Sequence, residues 1–459
     1  MENRFRYSCL IALVVLGVMH ASCTKTFLDK KTNSSIVVPT RLEELRGLLD
    51  NEGVVFETPL LGTQSSDEYY FKYEDWLAMN PKERNAYIWA KDVYEGQAFA
   101  IKDWDVPYQQ IFYANIVLEA FRVGTVDSLS DEARSIMGNA YFLRGRALFN
   151  LAEVFAMPYD KATATNLQGI PFKSSPEVGI PAKRGSLAET YVQIMADMKS
   201  AMNLLRDKSF LENKLRVNKL TVWSYLARFS LSMRDYQGAL HYADSALATY
   251  DHLIDYNGIS PTQINPFPAN NPETILQSRM ISGISHISTT SGTLHVDSNL
   301  YASYDINDLR KILWFQNVSG RIRMNRSYAG LVQFFSGMTT SELLLVRAEC
   351  RARLNQSTGA LEDLNKLLVK RYKSGTFNPI TFSDPAVLLD KILLERRKEL
   401  ILRGLRWSDI RRLNLEGRGI VLTRKLKDDR YELKPDDPRY ALPIPDAEIE
   451  LSGMEQNKR

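Results

Sequence analysis

Cysteine and histidine are both scarce in this chain: three cysteines, at positions 9, 23 and 350, and five histidines in 459 residues. No His-Glu-x-x-His, Cys-x-x-Cys or similar spacing occurs, so no metal site can be written from the sequence. A phosphate-cradling Gly-rich loop and a Gly-x-Ser-x-Gly elbow are missing too. An excess of one charge is also lacking, since 58 Lys and Arg face 54 Asp and Glu, a net +4. That near balance over so long a chain excludes a general nucleic-acid scaffold. With 44% hydrophobic and 24% charged residues, the composition is globular rather than disordered or collagenous. A long apolar run is absent as well. Cys9 to Met19 is eleven residues, about 16 Å of helix, and too short to span a bilayer.

That run follows Arg4 and Arg6 and reads as the apolar core of a secretory signal over residues 1–22. An ordinary signal peptidase wants small residues at −3 and −1, and cutting near Ala21 or Ser22 puts Met19 or His20 at −3. Ala21-Ser22-Cys23 instead resembles a bacterial lipobox, with His20 where an aliphatic residue is usual. Cys23 is therefore the expected lipidation site and the first residue of the mature chain. Acyl chains attached there anchor a protein to a membrane without threading it, each buried methylene contributing about 0.8 kcal/mol. Cys350 is then left alone, and no intrachain disulfide is possible.

Residues 23–39 read as a polar tether, followed by a helix from Arg41 to Leu49 with Thr40 as N-cap. Pro59 to Asn80 is loop-like and aromatic, and a helix is expected over Trp104 to Phe121. The long apolar helix Asp131 to Ala156 is expected to pair with Ser186 to Leu205, which opens on a Ser186/Glu189 capping box. Met157 to Gly185 between them reads as a Pro- and Gly-rich insertion. Trp223, Leu226, Ala227, Ala239 and Ala246 fall at positions 4, 7, 8, 20 and 27 of the 34-residue tetratricopeptide pattern. Arg234-Asp235 marks the turn, and Ser230 replaces the usual aromatic. Ser341 to Tyr372 is a second unit, with Ala348 and Ala360 at positions 8 and 20, and Pro385 to Arg403 with Trp407 to Leu413 a further pair. Helical periodicity fades over 256–337, a stretch rich in Ser, Asn, Gly and Pro. Val421–Leu426 and Arg430–Leu433 are expected to pair across Lys427-Asp428-Asp429. The fold class is thus mostly α: a tetratricopeptide-like scaffold with a loop-rich region and a few short strands. The expected regions are 40–255, 256–337 and 338–459.

The chemistry-bearing groups read mostly as structural. Glu395 and Glu399 share a helix face with Arg396, Arg397 and Lys398 between them, an ion-paired helical surface rather than the cross-cleft acids of a glycosidase. Arg403, Arg406, Arg411 and Arg412 around Trp407 read as a helix-end charge cluster rather than a phosphate site. His286 and His295 read as solvated loop histidines. No catalytic residue, metal or cofactor is expected. Asp67 to Trp76 is different, because Tyr69, Tyr70, Phe71, Tyr73 and Trp76 alternate with charged residues and cannot all face one core. Aromatic faces stack on the C–H faces of sugars and also anchor peptides; in a loop they also simply pack it down.

Ordered motifs along the chain carry a resemblance. They are Cys23-Thr-Lys-Thr-Phe-Leu-Asp-Lys, Val38-Pro-Thr, Ala140-Tyr-Phe-Leu-Arg-Gly-Arg-Ala-Leu-Phe-Asn-Leu, Arg216-Val-Asn-Lys, Glu395-Arg-Arg-Lys-Glu-Leu, Gly404-Leu-Arg-Trp-Ser-Asp-Ile-Arg-Arg, Tyr440-Ala-Leu-Pro-Ile-Pro and Met454-Glu-Gln-Asn. Together they resemble the SusD/RagB-like nutrient-binding lipoproteins of Bacteroidetes. The resemblance implies a lipid-anchored, outer-membrane protein facing the cell surface, seated as a lid on a SusC-like TonB-dependent transporter, and delivering glycans or sometimes peptides to it. It also implies ligand contacts just after an Asp-Glu pair, here Asp67-Glu68, which points to Tyr70, Tyr73 and Trp76. Thr24-Lys25-Thr26 stand where surface-exported members usually carry acids. Two other readings stay open on residues alone: a surface glycan-degrading enzyme and a purely structural tetratricopeptide adaptor.

Overall fold

The computed structural model describes residues 39–459, apart from 96–99, 178, 180, 207–212, 282–285, 331 and 382–383. The leader 1–22, Cys23 and the tether up to residue 38 lie outside the described residues. No described helix is long and apolar enough to cross a membrane.

Among the described residues ten helices of eight residues or more form the frame: α1 (Leu42–Leu49), α2 (Lys102–Arg122), α3 (Asp131–Phe155), α4 (Leu187–Leu204), α5 (Lys219–Ser232), α6 (Tyr236–Thr249), α7 (Thr340–Arg353), α8 (Ser357–Leu368), α9 (Pro385–Glu399) and α10 (Arg406–Asn414). Their starts follow from side chains that satisfy the orphan amides of a first turn. Ser130 Oγ accepts from Ala133 N–H, Asn218 from Thr221, Asp235 from Gly238 and Thr339 from Glu342. At α4 both halves of the expected capping box are present, Ser186 Oγ with Glu189 N–H and Glu189 with Ser186 N–H. At α1 the cap moves one residue on from Thr40 to Arg41, because the Glu44 carboxylate reaches back and accepts from both backbone N–H groups, at 3.0 and 3.4 Å.

Successive helices pack on one another from α2 through α8, in the nearest-neighbour manner of a repeat array. α3 and α4 run antiparallel and approach closely at glycine. A Cβ at Gly145 would meet Asp197 Cβ at 3.2 Å and the Ile194 carbonyl at 3.3 Å. Arg144, buried at this contact, is held by both oxygens of Asp197 at 2.7 and 2.8 Å. Both tetratricopeptide-like units are present as helical hairpins, α5–α6 and α7–α8, with Ala227, Ala239, Ala246, Ala348 and Ala360 wholly buried. Each turn is made by a left-handed residue, Arg234 at φ 61° and Asn355 at φ 61°. α9 ends at Glu399, four residues before the expected stop, and the chain turns there before Gly404.

Among the described residues ten short strands make five two-stranded sheets: β1 (Glu57–Thr58), β2 (Tyr69–Tyr70), β3 (Thr274–Leu276), β4 (Arg279–Met280), β5 (His295–Val296), β6 (Phe315–Val318), β7 (Arg321–Met324), β8 (Met338–Thr339), β9 (Leu422–Leu426) and β10 (Asp429–Leu433). The C-terminal hairpin turns on Lys427-Asp428 alone, since Asp429 pairs with Leu426 and so belongs to β10. Residues 256–337 are irregular in backbone but not in packing. Tyr256, Phe267, Trp314, Tyr328, Phe334 and Phe335 form a second hydrophobic core, into which Tyr69, Phe71 and Tyr87 from the N-terminal part are set. Aromatic burial replaces secondary structure as the organising force of this region.

A candidate ligand surface on residues 67–76

The aromatic stretch divides by direction. Tyr69 and Phe71 point inward, 1% and 5% exposed, whereas Tyr70 is exposed and Tyr73 and Trp76 are half-buried. Period-two alternation along β2 explains the first three. The short helix Tyr73–Leu77 that follows brings Tyr73 and Trp76 to one side, their ring centroids 5.9 Å apart.

The two acids before the aromatics are anchors, not surface groups. Asp67 receives Arg406 through Nε at 2.7 Å and Nη2 at 2.8 Å, and Arg397 lies 3.2 Å away. Burial pushes the Asp67 carboxyl up, but Arg406, Arg397 and Arg424 outweigh it and hold it at about 2. Glu68 is buried, accepts the Leu402 N–H at 2.7 Å, and is pushed up to about 7 by burial, the Asp67 charge adding to the effect. Tyr69 O–H donates to the Gln64 carbonyl at 2.7 Å, and Tyr87 O–H accepts from Phe71 N–H at 3.1 Å.

Each outward aromatic is itself supported. Tyr70 stacks on His295, its partner across the β2–β5 pair, with centroids 4.7 Å apart and planes at 23°. Lys427 Nζ sits 3.9 Å from the Tyr73 ring centroid. Trp76 donates its indole N–H to the Arg84 carbonyl at 3.1 Å, which fixes the ring. The structure thus pairs Tyr73 with Trp76 beside Lys427, and sets Tyr70, three residues before Tyr73, against His295. Nothing local in the sequence signals His295 or Lys427, because they are more than 200 residues away along the chain. His295 corrects the sequence reading: it is 4% exposed, not a solvated loop residue. His286 is half-buried, with Nδ1 3.0 Å from Thr293 Oγ1. A separate apolar concavity of about 490 Å³, lined by Trp104, Tyr108, Phe112, Leu451 and Met454, lies elsewhere and shares no residue with the patch.

The paired glutamates correct a second reading. Glu395 and Glu399 are buried rather than superficial. Glu399 accepts from Arg310 Nη1 and Arg371 Nη2, each at 2.8 Å, and Arg371 also binds Glu273 at 2.7 Å. Burial raises the Glu399 carboxyl, yet Arg371 and Arg310 hold it below its ordinary value. Glu395 lies 2.5 Å from Arg310. Neither acid opens into a cleft. The arginines around Trp407 are likewise committed: Arg403 to Thr339 at 2.9 Å, Arg411 to the Ala156 carbonyl at 2.5 Å, and Arg412 to both oxygens of Glu349 at 2.6 and 2.8 Å. Among the described residues no group of three or more His, Cys, Asp or Glu is placed to hold a metal ion, and Cys350 is buried.

What this geometry offers is outward-facing aromatics on a charge-pinned support, and the fold that carries them is shared with known proteins. Residues 26–231 match the family model described as starch-binding associating with outer membrane, and residues 335–458 match that of the SusD family. SusD-like protein P2 of Formosa agariphila is 24% identical over 412 residues, spanning 75% of this chain and 77% of its own. A SusD superfamily protein of Bacteroides thetaiotaomicron superposes with a TM-score of 0.73 at 21% identity, over 91% of this chain and all of the other. A SusD-like carbohydrate binding protein of Bacteroides vulgatus does so with a TM-score of 0.68 at 21% identity, over 90% of this chain and 97% of that one. Matched at both ends by models of one family and along nearly its whole length by that family's fold, the chain belongs to the SusD/RagB family of outer-membrane-associated proteins.

Proposed function

We propose that the chain is a non-catalytic, glycan-binding lipoprotein, anchored through Cys23 at the outer membrane and acting as the lid subunit of a SusC-like TonB-dependent uptake complex. The observation that carries the reading is the outward set of Tyr70, Tyr73 and Trp76, held on a backbone whose inward residues are fully packed. Rings fixed before the ligand arrives lose little entropy on binding, which suits stacking against sugars. The starch-binding description of one matching family model and the carbohydrate-binding relative support a glycan over a peptide. The helical array supplies broad surfaces of the kind repeat proteins use for protein partners, here the transporter. In this reading the protein captures a glycan, raises its local concentration above the barrel, and closes as the ligand enters.

Two measurements on the full-length protein test this. Extraction from outer membranes in mild detergent is expected to bring a stoichiometric large TonB-dependent barrel; recovery of the protein alone, under conditions that keep other membrane complexes together, would overturn the lid role. A glycan and peptide binding panel is expected to give a glycan whose affinity drops about three- to tenfold in Tyr73→Ala and Trp76→Ala, with helicity intact. Unchanged affinity would remove the site assignment, a peptide ligand would replace the glycan, and turnover of an oligosaccharide would contradict a non-catalytic role.

A further inference from the structure

From Leu309 to Ser341 the chain contains no aspartate or glutamate, yet it holds Arg310, Lys311, Arg321, Arg323 and Arg326. Arg310 is consumed by the buried network. The β6–β7 hairpin lies within this stretch and turns on Ser319 and Gly320, both left-handed at φ 52° and 80°. Alternate residues of a strand share a face. Met324 therefore goes into the aromatic core with Ile322 beside it, while Arg321 and Arg323 share the opposite face.

That basic face is continuous with the aromatic patch. Arg321 Nε–H donates to His295 Nε2 at 3.2 Å, and the same imidazole stacks on Tyr70. The bond uses Nε only. Among the described residues, the two terminal nitrogens of Arg321 have neither a hydrogen-bond acceptor nor a carboxylate within 4.0 Å. Arg323 donates from Nη2 to Gln316 Oε1 at 3.0 Å, and its buried Nε has no partner among the described residues. Lys72, two residues from Tyr70, is exposed and also has no carboxylate within 4.0 Å among the described residues. The acids flanking these residues along the chain are Glu74 and Asp75 on the short helix, Asp297 just after β5 and Asp429 beyond Lys427. Asp75 favours protonation of His295, but burial and the charges of Arg321 and Lys72 prevail and keep the imidazole below its ordinary value.

Elsewhere in this protein buried or half-buried guanidiniums have oxygen partners for their terminal nitrogens: carboxylates for Arg144, Arg228, Arg347 and Arg412, and hydroxyl or carbonyl oxygens for Arg403, Arg411 and Arg424. Among the described residues, the terminal nitrogens of Arg321 have no such partner, and Arg323 has an amide oxygen but no carboxylate. A guanidinium fork fits carboxylate and sulfate oxygens in pairs, and such charge-assisted bonds are the strong ones. We propose that the ligand of this surface is an oxyanion-bearing glycan, with sugar rings on Tyr70, Tyr73 and Trp76 and its carboxylate or sulfate-ester groups held by Arg321, Arg323 and Lys72. This rests on the glycan-binding reading above and adds the sign of the ligand's charge to it.

The test is affinity electrophoresis of the detergent-solubilised full-length protein in gels carrying polygalacturonate, a sulfated galactan or a neutral galactan, at low and high salt. At least one polyanion is expected to bind about tenfold or more tighter than the neutral polymer, and to weaken with salt. Which polyanion binds separates carboxylate from sulfate recognition. Arg321→Gln is expected to cost polyanion binding about tenfold and the exposed Lys72→Gln about threefold, both losses shrinking at high salt. A neutral galactan bound as tightly as both polyanions, with Arg321→Gln and Lys72→Gln without effect, would overturn the charge assignment and leave the glycan-binding reading standing. Binding to none of the three polymers would overturn the assignment of charge; peptide binding in the broader panel would overturn both.

Discussion

Asp67 lies in the fork of Arg406, with both carboxylate oxygens engaged at 2.7 and 2.8 Å across 339 positions of sequence. The next residue, Glu68, takes the Leu402 N–H from the same segment. Two adjacent acids therefore fasten the aromatic stretch to the chain just beyond α9. With the backbone fixed there, Tyr69 and Phe71 can fill the second core, while Tyr73 and Trp76 pack half-buried against its edge and Tyr70 is exposed. On the proposed reading, the ligand surface is held by charges that do not themselves face the ligand.

These two carboxyls give opposite pH dependences. Asp67 is held at about 2 against an ordinary value of 3.8. Its stabilisation, on the order of 2 kcal/mol, is present above pH about 4 and lost as pH falls through about 2. Glu68 is raised to about 7 from 4.5. Its protonated form is favoured in the fold, so its contribution is complete below pH 4.5 and is lost as pH rises through 7. Thermal melts across pH should show wild-type stability declining from pH 5 to pH 8. Glu68→Gln, which keeps the acceptor for Leu402, should flatten that decline. Asp67→Asn should be destabilised at pH 7 and converge on wild type near pH 2. A Glu68→Gln profile parallel to wild type would contradict the assignment.

The Glu399 network predicts a large loss from a single change. Glu399, Arg310, Arg371 and Glu273 are all fully buried, and they join α9 to the 256–337 region and to the end of α8. Removing one partner leaves a buried charge uncompensated, which costs about 3–5 kcal/mol. Glu399→Leu should therefore lower the melting temperature sharply and loosen the aromatic core, seen as a rise in tryptophan solvent exposure. A loss below about 1 kcal/mol would mean that Asp308, Glu395 and Glu273 suffice for both arginines.

Much of the helical frame is legible from residues alone, because its signals are local. Ser186 with Glu189, and Asp235 after Arg234, mark helix starts within four residues. The alanines at repeat positions report a close helix contact wherever they occur. The β6–β7 hairpin also had a local signal, the Ser319-Gly320 pair before the alternating run Arg321-Ile-Arg-Met, which is easily lost in a region read as irregular. The burial of Glu395, Glu399 and the arginines around Trp407 had none. A charge-rich helix reads as a solvated face unless its partners are known, and Arg310, Arg371 and Glu349 come from distant segments. The same holds for the patch: Tyr70, Tyr73 and Trp76 are visible as a cluster, whereas His295, Arg321 and Lys427 reach it only through the fold.

The first tetratricopeptide-like unit carries one departure whose consequence can be measured. Ser230 stands where the pattern usually has an aromatic, is fully buried on α5, and its hydroxyl has no partner among the described residues. The neighbouring Phe229 supplies the aromatic instead, stacking on Phe149 of α3 with centroids 3.9 Å apart. A buried hydroxyl without a hydrogen bond costs about 1–3 kcal/mol, and alanine is also the better helix former. Ser230→Ala should therefore raise stability by about 1 kcal/mol. Ala239→Leu, in the facing helix and wholly buried, should lower it by about 1–3 kcal/mol through overpacking. Both shifts can be read in thermal or denaturant unfolding of the same preparation. A Ser230→Ala variant that loses stability would show that the hydroxyl is bonded in the folded protein, and that the departure from the aromatic pattern serves this helix pair.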